Sequence, residues 1–303
     1  MSKYLIIIAG ATATGKTALS IALAKKFKTE IISADSRQFY CEMNIGTAKP
    51  IKEELSQVPH HFINNLSIQD NYSVGQYEKE VITFLNNFYK KINLAILVGG
   101  TGLFISAVCE GLDIFPDISE AIKLQIEEAY KQNGLEFLQK KLESLDPIYF
   151  QTVDKNNPVR LMRALSVIQS TGKPFSEFQT GEKVVRNFIP IYICLDIPRE
   201  VLYNRINHRV DVMVSNGLIE EVKSLLPHKN LQALHTVGYS ELFDYFENKI
   251  THEAAIDKIK QHSRNYAKRQ ITWFKKDVHW KYFSPDEFEN IIAYICGVMG
   301  LKL

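Results

Sequence analysis

The feature that most limits how this chain can fold is a short apolar run leading straight into a glycine-bounded loop. Leu5-Ile6-Ile7-Ile8-Ala9 reads as a strand buried on both faces, and Gly10 ends it. Gly10-Ala11-Thr12-Ala13-Thr14-Gly15-Lys16-Thr17 matches the pattern G-x-x-x-x-G-K-[ST], and a helical pattern follows over 18–27. Strand, loop and helix in that order are the context in which this pattern cradles phosphate. The glycines let the backbone wrap an anion, successive N–H groups point inward, and the helix N-terminus adds partial positive charge. Lys16 is placed to neutralise terminal phosphate oxygens and Thr17 to ligate Mg²⁺.

Further strands are expected over 30–33, 94–98 and 189–195, each followed by a helical pattern or a turn. Strands alternating with helices predict an α/β fold with a P-loop parallel-sheet core. Between these segments the texture changes. Residues 121–130, 134–145 and 158–170 look helical with no strand among them. The expected organisation is a catalytic core over 1–114 and 186–303, interrupted by an all-helical insertion over 115–185.

Nothing global demands a nucleic-acid partner, because the formal net charge is only +2. Any basic surface must come from local clustering. The four cysteines, Cys41, Cys109, Cys194 and Cys296, are far apart and form no CxxC pair. That disfavours a zinc site or a disulfide framework and suits a reducing compartment. The first apolar run is too short for a signal sequence or a membrane span, so a cytoplasmic protein is expected, without a membrane partner.

A P-loop fixes a diphosphate or triphosphate without fixing the reaction. ATP or GTP is the default partner. Against GTP, there is no Asn-Lys-x-Asp motif. Against an ATPase, the apolar run 94–98 ends in Gly99-Gly100-Thr101-Gly102 where an acidic metal ligand would be expected. The first strand-end acid is Asp35, in Asp35-Ser36-Arg37-Gln38. Its place, at the C-terminal end of a strand, is where open α/β sheets hold ligands. Asp35 can serve as a proton acceptor, hold metal, or simply N-cap a helix.

Several segments together resemble the tRNA dimethylallyltransferases (tRNA isopentenyltransferases). They are Asp35-Ser36-Arg37-Gln38-Phe39-Tyr40, Met43-Asn44-Ile45-Gly46-Thr47-Ala48-Lys49-Pro50, His60-His61, Tyr72-Ser73-Val74 and Gly99-Gly100-Thr101-Gly102-Leu103. Arg160 with Arg163-Ala164-Leu165, Val237-Gly238-Tyr239, and Lys268-Arg269-Gln270-Ile271-Thr272-Trp273-Phe274 continue the series. The resemblance runs in order from about Leu5 to Lys275. It implies transfer of a dimethylallyl group from dimethylallyl diphosphate to N6 of adenosine 37 in tRNAs reading codons that begin with U, with release of pyrophosphate. The P-loop, Gly10 to Thr17, would then hold the donor's diphosphate, which accounts for the missing nucleotide-switch apparatus.

By the same resemblance, Asp35 is the general base, Thr101 stands at the mouth of the reaction channel, and Arg209 joins Lys16 and Thr17 with Mg²⁺ on the leaving group. Arg205 and Arg209 are four residues apart, so they share a helix face. The implied tRNA contacts are Asp35, Ser36, Arg37, Gln38, Arg160, Arg163, Lys268, Arg269, Gln270 and Lys275. Residues 258–276 hold seven Lys/Arg and no acid. On a helical wheel Lys260, Arg264, Lys268 and Lys275 share one side, with Ile259, Tyr266 and Trp273 forming an apolar stripe between basic edges. His60-His61 lacks the companion ligands of a metal site. A monomer is expected.

Four positions depart from the family pattern: Ala11 where proline is usual, Asn64 for aspartate, Val159 for glutamine, and Ser240 for a basic residue. None touches Lys16, Thr17, Asp35 or Arg209. No C-terminal zinc module is present, as in bacterial members. Two other enzymatic readings compete: a prenyltransferase acting on free AMP or ADP, and a P-loop small-molecule kinase. A third is an RNA-binding scaffold with a vestigial P-loop.

Overall fold

A computed structural model describes residues 2–301. Its sheet is built from β1 (Tyr4–Gly10), β2 (Ile31–Ser33), β3 (His60–His61), β4 (Leu94–Val98), β5 (Ile189–Leu195) and β6 (Lys281–Phe283), in the order β3-β2-β4-β1-β5-β6. Every pairing is parallel. The helices are α1 (Lys16–Phe27), α2 (Lys52–Leu55), α3 (Val74–Phe88), α4 (Gly102–Glu110), α5 (Glu120–Leu145), α6 (Pro147–Thr152), α7 (Pro158–Thr171), α8 (Arg199–Ser215), α9 (Leu218–Ser224), α10 (Ser240–Phe246), α11 (His252–Phe274) and α12 (Phe288–Met299).

The central strand explains the layering. Successive side chains of β1 point to opposite faces. Leu5, Ile7 and Ala9 join Tyr77, Val81 and Leu85 of α3, Val108 of α4 and Phe274 of α11 in one core. Ile6 and Ile8 join Leu19 and Leu23 of α1 and Ile291 and Ile295 of α12 in the other. Both faces are covered, so the strand can be apolar throughout. β3 and β6 are edge strands of two and three residues. They follow the backbone template of β2 and β5 and have no alternating pattern of their own, and sequence patterning leaves them and α12 unassigned.

The chain divides into two compact units: one up to Cys109 and from Arg186 onward, the other Glu110–Val185. The second unit is all-helical among the described residues. α5 bends at Gly134, which takes φ 75°, so its two halves behave as separate helices. Asp146, nearly fully buried, caps α6 through the Tyr149 N–H (3.0 Å) and accepts hydrogen bonds from the N–H and hydroxyl of Ser176 (2.7 and 2.8 Å). Pro147, at the first position of α6, needs no N–H partner there. Ile126, Leu138, Leu142, Leu161 and Leu165 form this unit's own core.

Within the first unit, two further clusters position the site. Ala11 and Ala13 of the P-loop pack on Leu202 and Ile206 of α8 and Ala267 of α11. Met43, Leu218, Val222, Tyr239, Leu242 and Ile259 form a core beneath the loop that follows β2.

Candidate active site

The loop after β1 is built as an anion cradle. Gly10 adopts φ 142°, and a Cβ there would lie 2.7 Å from the carbonyl oxygen of Leu195, so only glycine lets β1 run so close to the end of β5. Ala13 and Gly15 also take positive φ, at 67° and 98°, turning successive amides. Helix α1 starts at Lys16 and directs its unpaired N–H groups at the loop. The Ala11 carbonyl accepts from both the Thr14 hydroxyl (2.8 Å) and the Lys16 ammonium (2.7 Å). Alanine in place of proline at position 11 leaves this carbonyl in use.

Two long-range side chains brace the loop. Gln270 of α11 accepts from the Thr12 N–H (2.9 Å) and donates to the Gly100 carbonyl (2.9 Å), tying the loop to the end of β4. Arg209 of α8 donates to the Thr12 hydroxyl (3.0 Å). Asp35 follows β2, and its Oδ1 accepts from the Arg37 N–H (3.0 Å). No helix follows Asp35 directly, so in place of the expected helix N-cap its carboxylate caps a turn.

The electrostatics follow from burial. Desolvation, then the nearby Arg209 guanidinium, lowers Lys16 to about 8. Desolvation raises Asp35 above its ordinary range, opposed by the Arg37 N–H, Lys16 and the Arg37 guanidinium. Desolvation also lowers Arg209. Two half-buried cations against one carboxylate leave excess positive charge beside an anion cradle, which an anionic ligand would neutralise.

Two cavities meet here, of about 800 and 670 Å³. Thr12, Lys16, Asp35, Thr47, Ala48, Arg209 and Met213 border both. The first continues past Thr17 along Ile45, Ile51, Leu55 and Val212. The second contains Ser36, Thr101 and Tyr266. The Thr101 hydroxyl accepts from the Ser36 N–H (3.3 Å) and donates to the Ser36 hydroxyl (3.4 Å). Tyr266 reaches the same place from α11. Desolvation first, then Asp35, pushes its hydroxyl up to about 12, with Thr101 acting in the opposite direction.

Residues 38–277 match the sequence profile of the IPP transferase family. The tRNA dimethylallyltransferase of Christiangramia forsetii is 53% identical over 97% of this chain and 98% of its own. The corresponding protein of Flavobacterium psychrophilum is 50% identical over 99% of both. The chain belongs to the IPP transferase family. Solved structures agree. The tRNA isopentenylpyrophosphate transferase of Bacillus halodurans superposes with a TM-score of 0.74 at 35% identity, covering 99% of this chain and 97% of its own. A eukaryotic dimethylallyltransferase acting on tRNA gives 0.83 at 25%, covering all of this chain and 81% of its own.

The fold is thus the P-loop α/β fold of IPP transferases. Of the residues singled out from sequence, Thr12, Ala13, Gly15, Lys16, Thr17, Asp35, Ser36, Arg37, Gln38, Thr101, Arg209, Arg269 and Gln270 line the two cavities, while Gly10, Ala11 and Thr14 build the loop without lining them. Of the lining residues, Arg37 and Gln38 use their side chains to hold backbone. Arg37 donates to the carbonyls of Gln232 (3.3 Å) and Ala233 (2.9 Å), and Gln38 to those of Thr47 and Ala48 (both 3.2 Å). Gln270 is buried, with its amide used inside the protein as described. His61 pairs with Glu30 (2.5 Å).

The basic face of α11 is not one open stripe. Lys260 pairs with Asp211 (2.6 Å) and Arg264 donates to Asn207 (2.5 Å), so both are turned onto α8. Lys275 lies just past the end of α11, and with Lys268 it lines a surface cleft with Asp196 and Arg199. Lys268 and Arg269 are exposed. Tyr266, grouped with the apolar stripe by its spacing, faces the second cavity. Its neighbourhood in the sequence marks it only as part of a basic, amphipathic helix. In the helical unit, Arg160 and Arg163 of α7 are exposed, the latter over the Phe115 ring at 5.1 Å.

Proposed function

We propose that this enzyme transfers a dimethylallyl group from dimethylallyl diphosphate to N6 of adenosine 37 in tRNAs that read codons beginning with U, releasing pyrophosphate. The observation that carries the reading is the shared border of the two cavities. The phosphate cradle and Asp35 stand on one wall, with a cavity that carries the apolar stretch Ile45, Ile51, Leu55 and Val212 on one side and a cavity holding Thr101 and Tyr266 on the other.

The donor's diphosphate sits in the loop Gly10 to Thr17, with its prenyl chain along the apolar wall. The adenine enters from the second cavity. It must leave its stack to do so, which an anticodon loop permits. N6 attacks C1 of the donor, the C1–O bond breaks, and its electron pair leaves with pyrophosphate. The N6 proton passes to the Asp35 carboxylate, whose raised affinity for protons brings it nearer to a working base. Lys16 and Arg209 meet the charge growing on the leaving oxygens. Thr101, held by Ser36, is placed to orient the incoming amine. The Thr17 hydroxyl faces the first cavity beside Lys16, and one hydroxyl with diphosphate oxygens and water suits Mg²⁺. When bound there, Mg²⁺ neutralises diphosphate charge. Arg160, Arg163, Lys268, Arg269 and Lys275 are proposed to meet the tRNA backbone.

The test is incubation with labelled dimethylallyl diphosphate and unmodified tRNA. Label should enter adenosine 37 with stoichiometric pyrophosphate release and without ATP. Transfer to free AMP or ADP in place of tRNA, or ATP consumption coupled to product, would favour the competing enzymes. Binding of tRNA with no transfer would leave only the scaffold.

A further inference from the structure

One carboxylate far from the P-loop in sequence holds the partition between the two cavities. Glu221 lies on α9 within Leu218–Ser224, a stretch with no motif. Its Oε2 accepts from the N–H groups of Asn44 (3.1 Å) and Ile45 (2.8 Å). Its Oε1 accepts from the Gly46 N–H (3.0 Å) and the Tyr239 hydroxyl (2.7 Å). Three successive backbone donors and a phenol therefore converge on one side chain. Such a row of N–H groups is an anion-binding concavity, and here a protein carboxylate fills it.

The segment it holds is a tight turn. Ala48 N–H donates to the Ile45 carbonyl (3.0 Å), and Ala48 takes φ 49°. Thr47 and Ala48 of this turn border both cavities. Tyr239 is fully buried against it: a Cβ on Gly46 would lie 2.5 Å from the Tyr239 ring. Gly46 and Tyr239 belong to two of the segments that carry the family resemblance, and Glu221 joins them.

We propose that Glu221 is a positioning residue for prenyl transfer, acting through the turn Ile45–Ala48 to set the passage between donor and acceptor. The proposal rests on the prenyl-transfer reading above. The P-loop is held by other contacts, through Gln270 and Arg209, so losing Glu221 should spare diphosphate binding and misalign the reacting carbon. Displacing the turn by about 1 Å is enough to cost one to two orders of magnitude in rate.

The experiment compares Glu221→Ala, Glu221→Gln and Tyr239→Phe with the parent, measuring pyrophosphate affinity by calorimetry and steady-state transfer from dimethylallyl diphosphate to tRNA. For Glu221→Ala, kcat/KM for the donor should fall at least about tenfold while pyrophosphate Kd stays within about twofold. Glu221→Gln keeps one acceptor oxygen, and Tyr239→Phe removes a single donor, so both should fall less, in the same direction. If Glu221→Ala does not fold, these two decide. Transfer within about twofold of the parent in the variants that fold overturns the role, as does a parallel loss of pyrophosphate binding, which marks general damage. A parent that binds pyrophosphate but transfers no prenyl group overturns the reaction and this role with it. Unaltered variants of an active parent overturn only the role.

Discussion

Replacing Gln270 with leucine separates a brace of the P-loop from a contact with RNA. Leucine keeps roughly the volume and removes both polar atoms. Two groups lose their partners: the Thr12 N–H and the Gly100 carbonyl. Gly100 is a buried residue, so its carbonyl is the costlier of the two to strip, although it too borders the second cavity. Thr12 borders the cavities, where water can reach its N–H, so its share is smaller. At about 1–3 kcal/mol for a buried unsatisfied group and less for a wetted one, the variant should lose about 1–3 kcal/mol of stability. Urea unfolding of parent and variant, each with and without saturating pyrophosphate, measures this directly. Because the loop itself loosens, the variant should also gain less from pyrophosphate than the parent does. Its tRNA affinity should stay near the parent's. A variant of unchanged stability whose tRNA affinity collapsed would refute the reasoning and return Gln270 to the RNA surface.

Asp35→Asn keeps shape and removes the base, so the single-turnover rate should fall about 10²-fold or more with tRNA affinity little changed; near-normal turnover would leave Asp35 as a turn cap only. The pH dependence of kcat/KM for the donor should be bell-shaped. Asp35 must be ionised and its proton affinity is raised, so the acid limb lies above the ordinary carboxylate range. Lys16 must be charged and is lowered to about 8, so activity declines above that pH; a profile still level well beyond it would contradict the role of Lys16. Lys268→Ala with Lys275→Ala should weaken cognate and non-cognate tRNA binding alike and flatten the log–log salt dependence by about 0.7 per lost contact. Lys260→Ala with Arg264→Ala should alter stability more than tRNA affinity, because both side chains are already paired with α8.

The parts legible from sequence are those whose physics is local. A short apolar run ended by glycine or a turn signal is consistent with a strand covered on both faces, so β1, β4 and β5 could be read as strands, and the spacing from Gly10 to Thr17 specifies its own loop. Asp35 could be placed because strand ends are where such sheets hold ligands. Tertiary structure decided what meets what. β3 and β6 exist because neighbouring strands offer unpaired backbone. Lys260 and Arg264 belong to a basic run in sequence, yet Asp211 and Asn207, about fifty residues away along the chain, take up their donors. Gln270 sits within a motif that resembles an RNA contact, but burial turns its amide onto the P-loop. Tyr266 is marked in sequence only as part of a basic, amphipathic helix, and Glu221 carries no signal in its own neighbourhood. Each owes its place to partners that only folding brings near, Ser36 and Thr101 in the shared cavity for one and the turn Ile45–Ala48 for the other. Local pattern determines which segments are strands, helices and anion loops, while a side chain's role at the site depends on which distant donors and acceptors share its buried space.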